Sequence, residues 1–283
     1  MNDATSSVTP PPDGLLGDTR ARTYADKLRL FNRFAEPELR STIAELGLQP
    51  GQHVLDAGCG VGLTCMWLRD AVAPDGLVIG IELADAHARL ALSTHPNIAQ
   101  ANIAQPPFAA ASFDLIWCSN TINHTRDSVT VARELAEKLR PGGRLVIGQS
   151  AFLPEMVFAW DARLEDAVTM ACRSYYRHKY GLSAADLATA RNTFGIVRRA
   201  GLVNARAHTV IIERTVPLSV TDEAYLVECV FRGYWGEKIR PFMRADDWDA
   251  LMALCDPASP AFCLRRDDFH YLQTYTVVVG CVE

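Results

Sequence analysis

The chain has 283 residues, 49% of them hydrophobic, enough to bury a large core as one big domain or one domain with an added cap. A formal net charge of -5 and a pI near 5.8 supply no global field for a polyanion, so nucleic acid is not an expected partner. No run of about 18 apolar residues exists, which predicts no membrane span, and eight singly spread cysteines predict reduced thiols in a cytoplasmic protein, with no zinc or disulfide framework.

Residues 1–18, rich in Ser, Thr, Pro and Gly, read as a flexible leader without an apolar signal core, and a single domain is expected over 19–283. From Thr23 to Leu48 the apolar positions Leu28, Phe31, Phe34, Leu39, Ile43 and Leu46 recur at helical spacing, with Pro37 allowing a break between two helices. Pro50-Gly51 leads into a first strand at His53–Asp56, then a helix over Leu63–Val72 and a second strand at Leu77–Ile81. A helix over Ala84–Thr94, a short strand at Ile98–Ala101, a strand at Leu115–Cys118, a helix over Val129–Leu139 and a strand at Arg144–Gly148 follow. Strand and helix alternate throughout, which predicts a doubly wound α/β fold on a mostly parallel sheet.

After Ser150 the rhythm changes. Phe152–Tyr180 and Ser183–Ala200 read as helices, His208–Val216 as a strand, Asp222–Leu254 as a long helical stretch interrupted at Pro241, and Phe269–Val282 as a closing strand. That makes seven strands in all. The stretches at about 152–180 and 222–254 exceed what the sheet needs, and they are expected to cap its C-terminal edge, where open α/β sheets bind ligands.

The chemistry gathers at Val54-Leu55-Asp56-Ala57-Gly58-Cys59-Gly60-Val61-Gly62, an apolar strand running into an acid and then glycine at every second position. Glycine turns of this kind bring backbone close to a ligand at a sheet edge. The spacing is Gly-x-Gly-x-Gly, not the Gly-x-Gly-x-x-Gly of dinucleotide enzymes. Together with Glu82, Pro107-Phe108 before Ser112-Phe113-Asp114, His124, and Leu139-Arg140-Pro141-Gly142-Gly143, this run resembles the class I S-adenosylmethionine (SAM) methyltransferases of the small-molecule type. The resemblance covers roughly Leu46 to Gln149 and continues more weakly beyond.

The resemblance implies SAM as cofactor, no metal, and a small-molecule acceptor. The loop Asp56 to Gly60 with Gly62 would lie against the methionine and ribose portions, and Asp56 would fix the loop or receive a hydrogen bond from the amino end. Glu82, with Leu83 beside it, would accept the ribose hydroxyls, since a carboxylate offers two acceptor oxygens. Asn102 stands where many members carry Asp; its amide oxygen can still accept from adenine, with Ile103 giving a backbone N–H, or it is simply a turn residue. Ser119 would contact the methionine end, and Tyr24 would cover it. Cys118 beside Ser119 reads as packing. His124 is the candidate base, needed only where the acceptor must lose a proton, and otherwise part of the fold.

For the acceptor, Asn120 is a polar candidate. Leu164, Val168, Cys172 and Tyr175, and likewise Leu226, Val230, Phe231 and Tyr234, follow helical stripes expected in the core. Tyr176, Tyr180, Tyr225 and Trp235 fall off those stripes and are the expected pocket residues. Arg232, Lys238, Arg240, Arg244 and Arg265-Arg266 form either a grip for an anionic acceptor group or a solvated basic face. The leading expectation is methyl transfer to an oxygen or nitrogen of a small molecule. RNA or protein methylation, and SAM binding without methyl transfer, are the alternatives.

Overall fold

A computed structural model of the chain describes residues 22–150, 157–158, 160–181 and 189–283. The expected leader lies outside the described residues. The first helical segment divides into α1 (Arg22–Phe34) and α2 (Glu36–Glu45). The break falls at Ala35, and Pro37 sits in the first turn of α2, where a missing N–H breaks no helical hydrogen bond.

The alternating pattern becomes β1 (His53–Ala57), α3 (Leu63–Val72), β2 (Leu77–Glu82), α4 (Asp85–Leu92), β3 (Ile98–Gln100), β4 (Phe113–Ser119), α5 (Ser128–Ala136) and β5 (Leu139–Ser150). These strands lie in the order β3-β2-β1-β4-β5 and all pair in parallel. Past β5 come a two-residue β6 (Val157–Phe158), α6 (Ala162–Tyr180), α7 (Thr189–Arg199), β7 (Val203–Thr215) and β8 (His270–Cys281). β8 runs antiparallel between β5 and β7, and β6 pairs with it beyond the end of β5, at Leu272 and Tyr271. The seven expected strands are present, and the sheet is mostly parallel.

Two strand details depart from expectation. Residues 157–158 are extended, and the helix expected from Phe152 begins at Ala162, where the Asp161 side chain accepts from the Arg163 N–H. β7 begins at Val203 because its ladder with β8 starts there (Val203 opposite Cys281), although its exposed early residues carry little apolar alternation.

Alternate strand residues separate into two cores, as the period of two requires. Val54, Leu115, Trp117, Val146 and Val277 pack toward α1, α2 and α3; Leu55, Ile116, Leu145, Ile147 and Val278 pack toward α5 and α7. The first core does not stop at the sheet. It takes in Phe158, Leu164, Phe231, Trp235, Trp248, Phe262 and Tyr271, so sheet and cap share one apolar cluster.

The second cap stretch, expected as an interrupted helix, is α8 (Val220–Ala224), a π-helical segment Tyr225–Trp235, α9 (Gly236–Ile239), a 3-10 turn at Arg240–Phe242 containing Pro241, and α10 (Ala245–Cys255). Arg214 of β7 ties α1 and α2 to this region. It donates to Glu38 Oε1 at 2.7 Å, to Asp222 Oδ1 at 2.9 Å and to the Phe34 carbonyl, with its guanidinium 4.6 Å from the Phe34 ring centroid. Among the described residues no helix is long and apolar enough to cross a membrane.

Candidate functional site

The C-terminal ends of β1, β2 and β4 bring the glycine loop, Glu82 and Ser119 to one edge of the sheet. Gly58, Gly60 and Gly62 all have positive φ, at 86°, 56° and 82°. A Cβ at Gly58 would stand 2.3 Å from Thr121 Cγ2, and one at Gly62 would stand 3.0 Å from the Ala91 Cβ of α4. Side chains at these positions are excluded by the protein's own packing as well as by dihedral strain. The absent side chain of Gly62 also lets the start of α3 approach α4. A Cβ at Gly60 would lie 3.1 Å from Leu28 of α1.

The loop is held from within. The N–H groups of Gly58 and Cys59 donate to the Ile81 carbonyl, and Gly60 N–H donates to Glu82 Oε2 at 3.0 Å. Glu82 Oε1 accepts from Ala84 N–H at 2.9 Å, so one carboxylate sets the loop and the start of α4 while keeping lone pairs for a ligand. Leu83 lies half-buried between them, its carbonyl accepting from Gln100 Nε2. Ala57 is wholly buried in the second core, as is Ile103.

Asp56 is 2% exposed, and the hydrogen bond it accepts is from the Cys65 thiol, at 3.3 Å. Burial pushes its carboxyl up to about 7; the Cys65 bond opposes this and the charge of Glu82 adds to it. Among the described residues no cation is paired with it. Cys65 is raised by its own contact with the Cys59 thiol and by burial, so both sulfurs stay protonated. Cys118 is pushed up to about 12 by burial and is core packing.

At the end of β4, Ser119 Oγ and Tyr275 Oη of β8 are 2.8 Å apart. Asn120, at φ 49°, accepts at Oδ1 from Ser150 N–H and Gln149 Nε2, and donates to Ser150 Oγ. That amide clamps β4 to β5 and keeps one N–H of Nδ2 beyond these bonds. His124 closes a 3-10 turn after Thr121. Burial lowers its pKa to about 4, opposed by a hydrogen bond to the Asn120 backbone, and its Nδ1 is buried without a partner. Its imidazole is thus neutral, but a weak base. Asn102 Oδ1 accepts from Ala104 N–H at 2.9 Å, so the turn role is real and leaves one lone pair of that oxygen.

The cap residues sort differently from expectation. Tyr225 is stacked on Phe34 with centroids 4.1 Å apart, and Trp235 packs among Phe158, Trp160 and Phe231; both are core, not pocket. The stripe argument assumes 3.6 residues per turn, whereas the π-helical hydrogen bonds of Tyr225–Trp235 widen each turn and rotate the faces. Tyr234, expected in the core stripe, is half-buried and packs against the first core, with Lys27 and Lys238 over its ring. Tyr176 lies beneath Lys238, and the side chain of Tyr180 falls outside the described residues. Tyr24 is half-buried on α1, close enough to Tyr234 to disfavour its phenolate. Sequence reasoning missed Thr121, Cys65 and Tyr275, none of which carries a local motif.

Residues 55–147 match the family described as a methyltransferase domain. These residues carry a methyltransferase domain. Over 130 residues it is 32% identical to the demethylmenaquinone methyltransferase of Lactococcus lactis, covering 43% of this chain and 52% of that protein. Over 151 residues it is 32% identical to the 27-O-demethylrifamycin SV methyltransferase of Amycolatopsis mediterranei, covering 50% and 55%. The chain thus spans about half the length of the curated relatives it matches. The YcgJ protein of Bacillus subtilis superposes with a TM-score of 0.51 over 88% of this chain and 99% of that one, at 16% identity. At that identity the likeness shows the fold of the methyltransferase domain alone.

Proposed function

We propose that the chain transfers a methyl group from SAM to an oxygen or nitrogen of a small molecule held under the helical cap. The observation that carries this reading is Asp56: a buried carboxylate with no cation paired to it among the described residues, facing the charge of Glu82 at the edge of the sheet. A ligand bearing both positive charge and hydroxyls suits that pair, and SAM carries a sulfonium, an ammonium and a ribose. Asp56, the backbone from Ala57 to Gly60, Glu82 and Leu83 would hold it, with Asn102 and Ile103 at the base and Tyr24 and Ser119 at the methionine end. When bound, SAM supplies an electrophilic methyl group.

The chain's own part is positioning and exclusion of water. α1 lies on the loop through Leu28, and the shared apolar cluster seals the cap against the sheet. A dry, oriented site is the larger share of what an in-line displacement needs. His124, neutral above about pH 4, can take a proton from a hydroxyl acceptor only weakly; an unprotonated amine asks for no base. The relatives named for menaquinone and rifamycin chemistry support a small-molecule acceptor, and eight free thiols support a reducing, cytoplasmic setting.

The test is calorimetry with S-adenosylhomocysteine, followed by incubation with methyl-labelled SAM and a panel of hydroxyl and amine acceptors. Saturable binding with label in a small molecule is expected. Absence of binding would overturn the reading, and binding without transfer to any acceptor would leave a SAM-binding protein of another activity.

A further inference from the structure

Two hydroxyl groups meet at the ligand edge of the sheet, and neither belongs to the glycine loop. Gly148 of β5 lies between Ser119 of β4 and Val277 of β8 in the strand register, and Tyr275 stands two residues before Val277, opposite Ser150. The Tyr275 side chain leans back across Gly148, where a Cβ would collide with Tyr275 Oη. Glycine at that position leaves the phenol room to reach Ser119 Oγ, 2.8 Å away. Ser119 in turn borders the loop, because Thr121 Oγ1 lies 2.8 Å from the Ser119 carbonyl and 3.3 Å from the Gly58 carbonyl.

A pair of hydroxyls carries two protons, and the bond between them uses one. Tyr275 is wholly buried, and among the described residues Ser119 is the hydrogen-bond partner of its hydroxyl. If Ser119 donated, the phenol proton would be buried without an acceptor, which costs the desolvation of that group. The phenol therefore donates. Burial raises the Tyr275 pKa, the bond to Ser119 opposes this and the charge of nearby Asp56 adds to it, so the phenol keeps its proton. Ser119 is half-buried, and its own proton is left for a group outside the protein. Asp56 pairs with Trp117 across β1 and β4, and Ser119 is the next residue on that face of β4. A carboxylate acceptor and a hydroxyl donor thus stand on one face at neighbouring strand ends.

We propose that Tyr275 is a positioning residue for the cofactor: by donating to Ser119 it turns the Ser119 hydroxyl outward as a donor to the carboxylate at the amino-acid end of SAM, beside Asp56, which receives the ammonium. This rests on the SAM reading of the site. Each end of the zwitterion then meets the group it requires, through charge-assisted hydrogen bonds. With the bond reversed, Ser119 would present lone pairs, which repel a carboxylate. Gly148 is part of the device, since any side chain there would lift the phenol off Ser119.

The experiment measures two ligands by calorimetry, S-adenosylhomocysteine and methylthioadenosine, which lacks the amino-acid end. The full chain is compared with Ser119→Ala, Tyr275→Phe and the double variant, with melting temperatures in parallel. Each substitution removes one oxygen and leaves the carbon packing in place. Ser119→Ala is expected to weaken S-adenosylhomocysteine at least about tenfold and Tyr275→Phe at least about threefold, with methylthioadenosine within about twofold of wild type in both. The double variant should bind S-adenosylhomocysteine no worse than Ser119→Ala, because Tyr275 acts through Ser119. Equal weakening of both ligands would mean a merely structural role and overturns the proposal. So do unchanged S-adenosylhomocysteine affinity in either single variant, and losses that multiply in the double variant. Absence of S-adenosylhomocysteine binding by the wild-type chain would overturn the SAM reading and this proposal with it, whereas wild-type binding with unaltered variants overturns this proposal alone.

Discussion

Asp56 and His124 set opposite limits on stability. The folded-state pKa of Asp56 is raised to about 7, so the protein binds a proton there that the unfolded chain releases near 3.8. Its contribution is complete below pH 4 and is lost as pH rises toward 7. His124 is lowered to about 4 from 6.5, so its contribution is complete above 6.5 and is lost as pH falls toward 4. Between about pH 4 and 6.5 the two slopes are equal and opposite, so these two groups together leave the stability of the ligand-free protein nearly flat there, and above 6.5 Asp56 alone lowers it. Asp56→Asn, close in shape and uncharged, should raise stability at pH 8 by about 2–4 kcal/mol in urea unfolding, while weakening S-adenosylhomocysteine binding. His124→Ala should leave S-adenosylhomocysteine affinity nearly unchanged. If His124 is a base, it should slow turnover of a hydroxyl acceptor by about a hundredfold, and the acid limb of the wild-type profile should fall near pH 4. Full activity would leave His124 a structural residue. The types at these positions were legible in the chain; their burial, which decides the charge, was not, because Cys65 and Asn120 act from outside the motif.

Among the elements, α1 lies on the glycine loop through Leu28, and Arg214 ties it and α2 to the rest of the fold. The Arg214 side chain is 14% exposed, and Glu38 and Asp222 are 17% and 15% exposed. Arg214→Met would leave two carboxylates partly buried without a cation, and should cost about 2–4 kcal/mol in urea unfolding. Because α1 carries Leu28 and Tyr24, the same variant should weaken S-adenosylhomocysteine binding although Arg214 is no part of the loop. The glycine turn gives a sharper test. Gly58→Ala meets both a positive φ and Thr121, so Thr121→Ser, which removes only Cγ2, should recover less than half of a loss of about 2–4 kcal/mol. The strands and helices up to Ser150 could be read from the chain because each is a local pattern of apolar residues between turn signals. The π-helical segment could not: Leu226, Val230, Phe231 and Tyr234 follow an ordinary helical stripe, and only tertiary packing selects the wider turn that buries Tyr225 and Trp235 as well.

At the scale of the whole molecule, one apolar cluster joins Trp117 of the sheet to Trp235 of the cap. Circular dichroism and tryptophan fluorescence should therefore report a single coincident unfolding transition, and two separated transitions would show that cap and sheet unfold independently. Sheet order carries a further consequence, in the time domain of synthesis. β8 lies between β5 and β7, yet its residues 270–281 are made after those of both neighbours. Until they leave the ribosome, β5 has an open apolar edge, β7 has no partner, and Tyr275 is absent from Ser119. The nascent chain thus exposes the half-built ligand edge for as long as the ribosome needs to travel from β5 to β8, an interval in which holding by a chaperone would matter more than it does for the finished protein.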